Sequence, residues 1–344
     1  MYLRFYGLRE EPFELTPNPK FLFTTVQHAE AIANLQYGLS AAKAVTLLIG
    51  EAGTGKTTVL RAALESEPCR HVKAVHLTNP QLSRQEFIET LARSFALSPG
   101  AHSSKASLLA ELETVVHERR RRGQISALIV DEGQRLSEEL LEEIRLLANI
   151  ETDTEKLLPL VLAGQPELSD RLNETGLRQL KQRVALRCEI KPFELADTAA
   201  YIASRIRTAG GDARRLFTRE AVTLIQEYSR GIPRSISVIC DNALISGFAV
   251  GRQPVGRDIV DEVAHDFDLQ GDSRGNVETR ARVTMSTDHG NGSTHDRSDG
   301  ADPVLTPPSI DLRPAEGENR AEDSTPGVLD GTVRRQRFSL FGRS

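Results

Sequence analysis

The feature that most constrains this chain is a glycine-rich loop between a predicted strand and a predicted helix, in the segment VTLLIGEAGTGKTTVLRAAL at residues 45–64. The residues at 45–49 are apolar or β-branched, which predicts a buried parallel strand, and the pattern becomes helical from Thr57. The loop begins at Gly50 and satisfies G-x-x-x-x-G-K-[ST]. A strand before this pattern and a helix after it are the context in which it binds phosphate groups.

The spacing within the loop explains its predicted chemistry. Glycines let the backbone curl so that successive N–H groups point at a triphosphate, and the helix N-terminus adds positive potential. Lys56 is expected to reach the outer phosphates of ATP, and the Thr57 hydroxyl is expected to bind Mg²⁺. The alternative is a chance glycine-rich turn before a helix. The predicted nucleotide-binding residues are Gly50, Glu51, Ala52, Gly53, Thr54, Gly55, Lys56, Thr57 and Thr58.

A second motif, SALIVDE at residues 126–132, predicts an apolar strand that ends in two acidic residues. This is the Walker B arrangement, in which Asp131 holds Mg²⁺ and Glu132 orients and polarises the attacking water. Acidic strand ends also occur as helix caps. The phosphate-binding loop upstream favours the catalytic interpretation.

A third candidate is Gln165, which follows a predicted strand at residues 157–163. A polar residue at the carboxyl edge of a strand between the two motif strands would lie beside the γ-phosphate, so Gln165 is predicted to sense that phosphate. The alternative is an amide that satisfies the local turn. Basic residues then precede a short fifth strand predicted at 188–190, and they are Arg178, Lys181, Arg183 and Arg187.

Length and composition set broad limits on function. The chain has 344 residues and a net charge of −5, so no overall basic field indicates nucleic acid. Its three cysteines show neither C-x-x-C spacing nor a histidine cluster, which argues against zinc and disulfides and favours a reducing, cytoplasmic compartment. The sequence shows no run of about 18 apolar residues and no signal-peptide pattern. We therefore expect no membrane span, and contact with the inner membrane only through partners.

Four segments are expected along the chain. Residues 1–44 combine an aromatic, proline-containing arm with a helix and pack on the ATPase core. Residues 45–193 form an α/β nucleotide-binding domain with a five-stranded parallel sheet, and residues 194–270 form a small all-helical lid. Residues 271–344 contain too little apolar surface to fold and are expected to be disordered.

Two of these segments carry smaller candidate features. The arm either covers the adenine ring or packs Phe13, Phe21 and Phe23 into the core. In the lid, the sequence GIPR places Pro233 at the first helical position and Arg234 in the first turn, facing outward.

A run of four arginines at residues 119–122 ends a predicted helix before a glycine. Such a run could grip a phosphate backbone. Cations at a helix C-terminus also offset the helix dipole, and this second interpretation is favoured.

In this order, the motifs resemble those of the AAA+ ATPases of the general secretion pathway protein A (ExeA) type. The resemblance covers about residues 1–270 and is carried by FYGLREEPFELTPNPKFLF, the helix around His28 and Glu30, GEAGTGKTT, LIVDEGQRLS, LLEEIRLLANIET, LVLAGQPEL, LRQLKQRVALRCEIKPF and GIPRSISVICDNAL. It implies an AAA+ fold and a role for each motif residue. These roles are Walker A for Lys56 and Thr57, Walker B for Asp131 and Glu132, sensor 1 for Gln165 and sensor 2 for Arg234.

The resemblance also implies an arginine finger that completes the site of a neighbouring subunit. Arg183 and Arg187 lie in the stretch that carries this finger in related initiators and clamp loaders. Arg187 is the first choice, because Leu186-Arg187-Cys188 resembles the Ser-Arg-Cys of those proteins.

The function implied is ATP hydrolysis with ATP and Mg²⁺ in a ring-like, ATP-dependent homo-oligomer. Secretion members of the family continue into a transmembrane helix and a periplasmic peptidoglycan-binding domain, which we expect this chain to lack. It is similar to the soluble members that accompany exopolysaccharide or exosortase-linked export systems or pilus biogenesis. We therefore expect a regulator or assembly factor of an envelope export or exopolysaccharide system, with protein components of that machine as partners.

Two alternatives stay open. One is a transposition-type ATPase that binds DNA, and the other is a small-molecule kinase that shares only the phosphate-binding loop. Glu132 beside Asp131 and the arginines near the fifth strand argue against the kinase, because they suit attack by water.

Overall fold

The computed structural model describes residues 1–267, except residues 17, 78–80 and 103. In this part of the chain, five parallel strands form one sheet in the order β2-β3-β4-β1-β5, which confirms the predicted five-stranded parallel sheet. The disordered tail predicted at 271–344 lies outside the described residues. The strand bounds are β1 Val45–Gly50, β2 Val72–Leu77, β3 Ile125–Val130, β4 Leu160–Gly164 and β5 Val184–Ile190.

Helices cover both faces of this sheet, and for that reason β1 and β3 are buried along their whole length. The carboxyl ends of β1, β3 and β4 lie at one edge, where each strand runs into one of the predicted motifs. The helices of this α/β part are α2 Val26–Ser40, α3 Lys56–Leu64, α4 Arg84–Ser94, α5 Lys105–Arg121, α6 Glu138–Leu147, α7 Pro166–Arg171 and α8 Arg178–Lys181.

Two strand boundaries differ from the predicted ones. Strand β5 begins at Val184 rather than at 188, because an edge strand with one exposed face alternates buried and exposed residues and does not read as an apolar run. Arg187 therefore lies within β5. Strand β4 begins at Leu160 rather than at 157. Leu157 and Leu158 are buried, but Pro159 has no N–H to give to a ladder, and pairing starts after it.

After β5, the described chain is helical. These helices share one hydrophobic cluster with residues near the N-terminus, including Tyr6, Phe13 and Phe21. Their bounds are α9 Leu195–Thr208, α10 Ala213–Leu216, α11 Arg219–Ser229, α12 Pro233–Ala249 and α13 Arg257–Asp266, and the short N-terminal helix α1 spans Tyr2–Tyr6.

Hydrogen bonds attach the N-terminal residues to these helices. The Tyr2 hydroxyl donates to Asp241 Oδ1 at 3.0 Å, and the Tyr6 hydroxyl donates to the Arg252 carbonyl oxygen at 3.1 Å. The Arg9 N–H donates to the Ala209 carbonyl oxygen at 2.8 Å. Each bond joins residues far apart in sequence, so the arm is fixed by tertiary structure.

Arg205 in α9 makes several contacts with the arm. Its guanidinium donates to the carbonyl oxygens of Pro12 and Glu14 and to the Tyr201 hydroxyl. It also stacks over the rings of Phe21 and Tyr201, with centroid distances of 5.1 and 5.5 Å. Arg205 therefore joins the arm to α9.

Within the described residues, every helix is too short or too polar to cross a membrane.

Candidate functional site

The loop that follows β1 curls around the lysine at its end. Gly53 and Gly55 have φ values of 82° and 101°, which residues other than glycine rarely adopt. The Lys56 side chain is buried, and its Nζ donates to the carbonyl oxygens of Gly50 and Glu51 at 2.8 and 3.0 Å. The loop thus holds a cation inside a ring of backbone atoms at a helix N-terminus, which suits a phosphate anion.

The electrostatics of Lys56 favour an incoming anion. Burial lowers the pKa of the Lys56 ammonium, and the negative charges of Glu132 and Asp131 oppose this effect. Its two hydrogen bonds go to neutral carbonyl groups. A phosphate that enters the loop would supply the opposite charge that stabilises a buried ammonium.

Thr57 and Asp131 meet where α3 begins and β3 ends. The Thr57 hydroxyl donates to Asp131 Oδ2 at 3.2 Å. The described residues contain no group of three or more His, Cys, Asp or Glu side chains that could enclose a metal. Mg²⁺ typically takes one or two protein oxygens and completes its shell with phosphate and water. A hydroxyl and a carboxylate at the edge of a phosphate-binding loop fit that ion.

Glu132 stands at a strained point of the chain and is held by neighbouring amides. Its φ is 54°, which is uncommon for a residue other than glycine. Glu132 Oε2 accepts a hydrogen bond from Gln134 Nε2 at 2.7 Å and a longer one from Gln165 Nε2 at 3.5 Å. Because β4 lies between β3 and β1, the structure brings Gln165 beside Glu132 at the predicted strand edge.

Arg234 brings the helical part of the chain onto the loop. Its backbone N–H donates to the Gly53 carbonyl oxygen at 3.3 Å, just after α12 begins at Pro233. A Cβ atom on Gly53 would lie 2.9 Å from Arg234 Cβ, so only glycine allows this approach. The Arg234 side chain lines the same cleft as the loop.

The cleft has a volume of about 580 Å³ and extends from the loop to the N-terminal arm. On the arm side it is lined by apolar and aromatic residues, among them Leu15, Phe21 and Phe23. Phe13 lies instead in the hydrophobic cluster of the helical part, and Phe21 belongs to both surroundings. Core packing and cleft lining therefore occur together in the arm, and contact with an adenine ring stays a prediction.

The family model described as an AAA domain matches residues 40–172, which include the loop, the acidic pair and Gln165. The chain contains an AAA domain. The predicted resemblance to AAA+ proteins is confirmed, and such a domain implies nucleotide binding.

General secretion pathway protein A of Aeromonas hydrophila is similar to this AAA protein. The two are 39% identical over 255 residues, which make up 74% of this chain and 46% of that protein. This chain thus spans about half the length of its relative. The AAA protein is therefore related to a secretion pathway protein, as the motifs indicate.

Solved structures show the same fold at low sequence identity. The ORC2 protein of Aeropyrum pernix, in its ADPNP-ADP complexes, has a TM-score of 0.55 and 18% identity, and covers 74% of this chain and 71% of its own. Cdc6p of Pyrobaculum aerophilum has a TM-score of 0.54 and 19% identity, with 71% and 67% covered. A Walker-type ATPase of Pyrococcus abyssi has a TM-score of 0.50 and 19% identity, with 79% and 80% covered.

His28 in α2 is a cleft residue to which the sequence motifs assign no role. It is buried, its Nε2 lies 3.2 Å from the Thr54 carbonyl oxygen and its Nδ1 lies 2.8 Å from Thr25 Oγ1. Its ring packs edge-on against Phe193 with centroids 5.6 Å apart. Burial lowers the pKa of His28, although the hydrogen bond with Thr54 opposes this. Only a histidine three residues after an N-capping threonine marks this position in the sequence.

Arg183 and Arg187 do not line the cleft of their own chain, as far as the described residues show. Arg187 is exposed on the edge strand β5. Arg183 is half-buried just before that strand. The pKa of the Glu151 carboxyl is lowered by a hydrogen bond with Lys156, and the charge of Arg183 adds to this.

The arginines at 119–122 are mostly engaged within the protein. Arg119 donates to the Phe95 carbonyl oxygen at 2.9 Å, and Arg120 forms a two-pronged ion pair with Glu155. Arg122 pairs with Glu118 at 3.5 Å. These contacts agree with the structural interpretation of the run.

Proposed function

We propose that this AAA protein hydrolyses ATP with Mg²⁺. The observation that carries the proposal is the position of Glu132. Its carboxylate lies in the same cleft as Lys56 and beside the Thr57–Asp131 pair, with Oε2 held by amide donors. The other oxygen is then available to orient and polarise a water molecule against the γ-phosphate.

Each site residue has a role in this proposal. Lys56 and the loop N–H groups bind the outer phosphates, and Gln165 contacts the γ-phosphate from the edge of β4. Arg234 contacts the phosphates from the helical lid. When bound through Thr57 and Asp131, Mg²⁺ supplies charge neutralisation on the phosphates.

We also propose that the site is completed between identical subunits of a ring-like oligomer. Arg187 is exposed on an edge strand and does not line its own cleft. An exposed arginine in this place can reach the γ-phosphate of a neighbouring subunit. Arg183 is the second choice, because its charge acts on Glu151 within its own chain.

The partners are proposed from the similarity to general secretion pathway protein A. Aeromonas hydrophila general secretion pathway protein A carries the secretion pathway in its name. We propose that this protein acts as a regulator or assembly factor of an envelope export or exopolysaccharide system, in the cytoplasm and at the inner membrane through protein partners. The alternative of a DNA-binding transposition ATPase is not advanced, because Arg119, Arg120 and Arg122 already have partners within the chain.

The proposal is tested with two substitutions. Glu132→Gln should keep ATP affinity and lower the hydrolysis rate by about 10²- to 10⁴-fold, because it removes the carboxylate that acts on water. Lys56→Ala should lose nucleotide binding itself. Nucleotide affinity is measured with a fluorescent ATP analogue, and hydrolysis by phosphate release.

The control is Glu174→Gln, which removes an exposed carboxylate from the same α/β part. It should leave both quantities unchanged. Turnover of Glu132→Gln close to that of the wild type would refute the assignment of Glu132.

A further inference from the structure

Gln134 lies two residues after Glu132, in the turn that links β3 to α6, and none of the motifs assigns it a role. We propose that Gln134 is a positioning residue that holds the Glu132 carboxylate in place and ties it to the turn at Gln165. The proposal rests on the proposed ATP hydrolysis.

The Gln134 side chain bridges the two strand ends that meet at the site. Its Nε2 donates to Glu132 Oε2 at 2.7 Å, and its Oε1 accepts from the Gln165 backbone N–H at 3.1 Å. A backbone N–H can only donate and an ionised carboxylate can only accept, so the two partners together fix which end of the amide faces which. One side chain thus connects the end of β3 with the end of β4.

The structure leaves room for this amide. A Cβ atom on Gly164, the last residue of β4, would lie 2.9 Å from Gln134 Oε1 and 2.6 Å from Leu168 Cδ2. Both distances are shorter than real Cβ contacts. Only glycine at 164 lets the amide reach the backbone of the next residue.

The backbone of Gln134 is fixed independently of its side chain. Arg171, at the end of α7, donates from the same guanidinium nitrogen to the carbonyl oxygens of Gln134 and Leu136, at 2.7 Å each. The turn between β3 and α6 is therefore anchored to the helix that follows β4. Because the backbone of Gln134 is held in place, its side-chain amide can hold the Glu132 carboxylate in a limited range of positions.

The Gln165 side chain cannot replace this bond. Its Nε2 is 3.5 Å from the same Glu132 oxygen, so this hydrogen bond is longer and weaker than the one from Gln134. Without Gln134, Glu132 Oε2 would keep this one long contact, and the carboxylate could turn away from the attacking water. We expect the loss to appear in turnover and not in nucleotide affinity, because Gln134 acts on the water-activating group.

The experiment uses the full chain with Gln134→Met and Gln134→Glu. Methionine has nearly the same shape and makes neither hydrogen bond. Glutamate keeps an acceptor for the Gln165 N–H but sets a second carboxylate against Glu132. Both should lower kcat by about 10- to 100-fold, the range expected for losing a hydrogen bond to a charged group. KM for ATP and the affinity for a fluorescent ATP analogue should change by less than about threefold.

The matched control is Gln85→Met on α4. Gln85 is exposed, does not line the cleft and donates to Glu89 at 2.9 Å, so this variant removes the same kind of bond outside the site. Its kcat should equal that of the wild type. Melting temperatures of all variants show whether the fold is kept, and if Gln134→Met does not fold, Gln134→Glu alone decides.

Three results would overturn the proposal. A folded Gln134 variant that keeps wild-type kcat shows that Glu132 needs no support. A variant that loses nucleotide affinity in parallel with kcat shows a general structural role instead. A wild-type protein that binds nucleotide but never hydrolyses it refutes the proposed function, and the positioning role with it. In the first two cases the proposed hydrolysis stands.

Discussion

The two sides of the nucleotide cleft are held together by contacts of very different range. On the strand-end side (residues 50–58, 131–134 and 165), hydrogen bonds between side chains join residues from 2 positions apart, for Gln134 and Glu132, to 74 positions apart, for Thr57 and Asp131. On the arm-and-lid side (residues 1–23 and 193–249), Tyr2 bonds to a residue 239 positions away. The strand-end side is built from short sequence motifs. The arm-and-lid side forms only when the N-terminal arm packs against the distant helices α9 and α12.

This difference predicts two kinds of variant. Changes on the strand-end side should alter turnover, since its polar groups surround the phosphates. Changes on the arm-and-lid side should alter stability and nucleotide affinity, since its aromatic and aliphatic residues pack in a shared cluster. The three predictions below test this division, beginning with the largest expected effect.

The largest effect is expected from Arg187, which extends the strand-end side to a neighbouring subunit. Arg187→Ala should lower turnover by about 10³- to 10⁵-fold and keep nucleotide affinity, because an arginine finger acts on the transition-state charge. A mixture with Lys56→Ala should regain activity, since some interfaces then combine an intact Lys56 with an intact Arg187. Hydrolysis by each variant and by the mixture is measured at several protein concentrations.

Arg183→Ala is the matched control for this prediction, and it should keep more activity than Arg187→Ala. If the mixture stays inactive although the subunits assemble together, or if dilute monomer hydrolyses ATP at the full rate, completion of the site in trans is wrong.

A smaller effect is expected from Arg205 on the arm-and-lid side. Arg205→Met removes two hydrogen bonds and one stacking contact that fasten the arm, together with a hydrogen bond and a stacking contact to Tyr201 within α9. The free energy of unfolding should fall by about 2–4 kcal/mol, measured by urea denaturation. ATP affinity should also weaken, because Arg205 and Phe21 line the cleft.

Arg207→Met provides the control for Arg205, because Arg207 is exposed on the same helix. It should leave stability within about 0.5 kcal/mol of the wild type. Wild-type stability of Arg205→Met would show that the arm does not depend on Arg205 for its attachment. A loss of turnover at unchanged nucleotide affinity would contradict the division between the two sides.

The smallest effect concerns the pH dependence of stability, through His28 between the two sides. The pKa of His28 is lowered by burial, so below pH 6.5 the unfolded chain binds a proton that the folded chain does not. The free energy of unfolding should therefore decrease as the pH falls below 6.5, and this contribution is absent above 6.5. In His28→Gln that part of the slope should disappear.

The measurement compares urea midpoints between about pH 7.5 and 5 for the wild type, His28→Gln and His265→Gln. His265 is exposed on α13, and its replacement should keep the wild-type slope. Equal slopes for the wild type and His28→Gln would contradict the role of burial.

Much of the strand-end side could be predicted from the sequence. Strand β1, the loop after it and the acidic pair after β3 lie where their motifs indicate. The reason is that parallel strands end at one edge, so a motif that follows each strand is brought to a common place without knowledge of side-chain contacts. The meeting of Gln165 with Glu132 follows from the same rule.

Other features were decided only by tertiary structure. Strand β5 begins earlier than its apolar residues indicate, because an edge strand leaves alternate side chains exposed. Gln134 is unremarkable in sequence, and it becomes a bridge only because Gly164 on another strand leaves space for its amide.

The arm shows the same limit most clearly. Its aromatic residues indicate that it is ordered, but its partners in α9 and α12 lie about two hundred residues further along the chain. Local patterns report which residues prefer burial and which can bind phosphate. They carry no information about which distant surfaces meet, because that choice depends on how the whole chain packs. The sequence by itself determined the chemistry at the strand ends, and the packing of the chain decided what surrounds it.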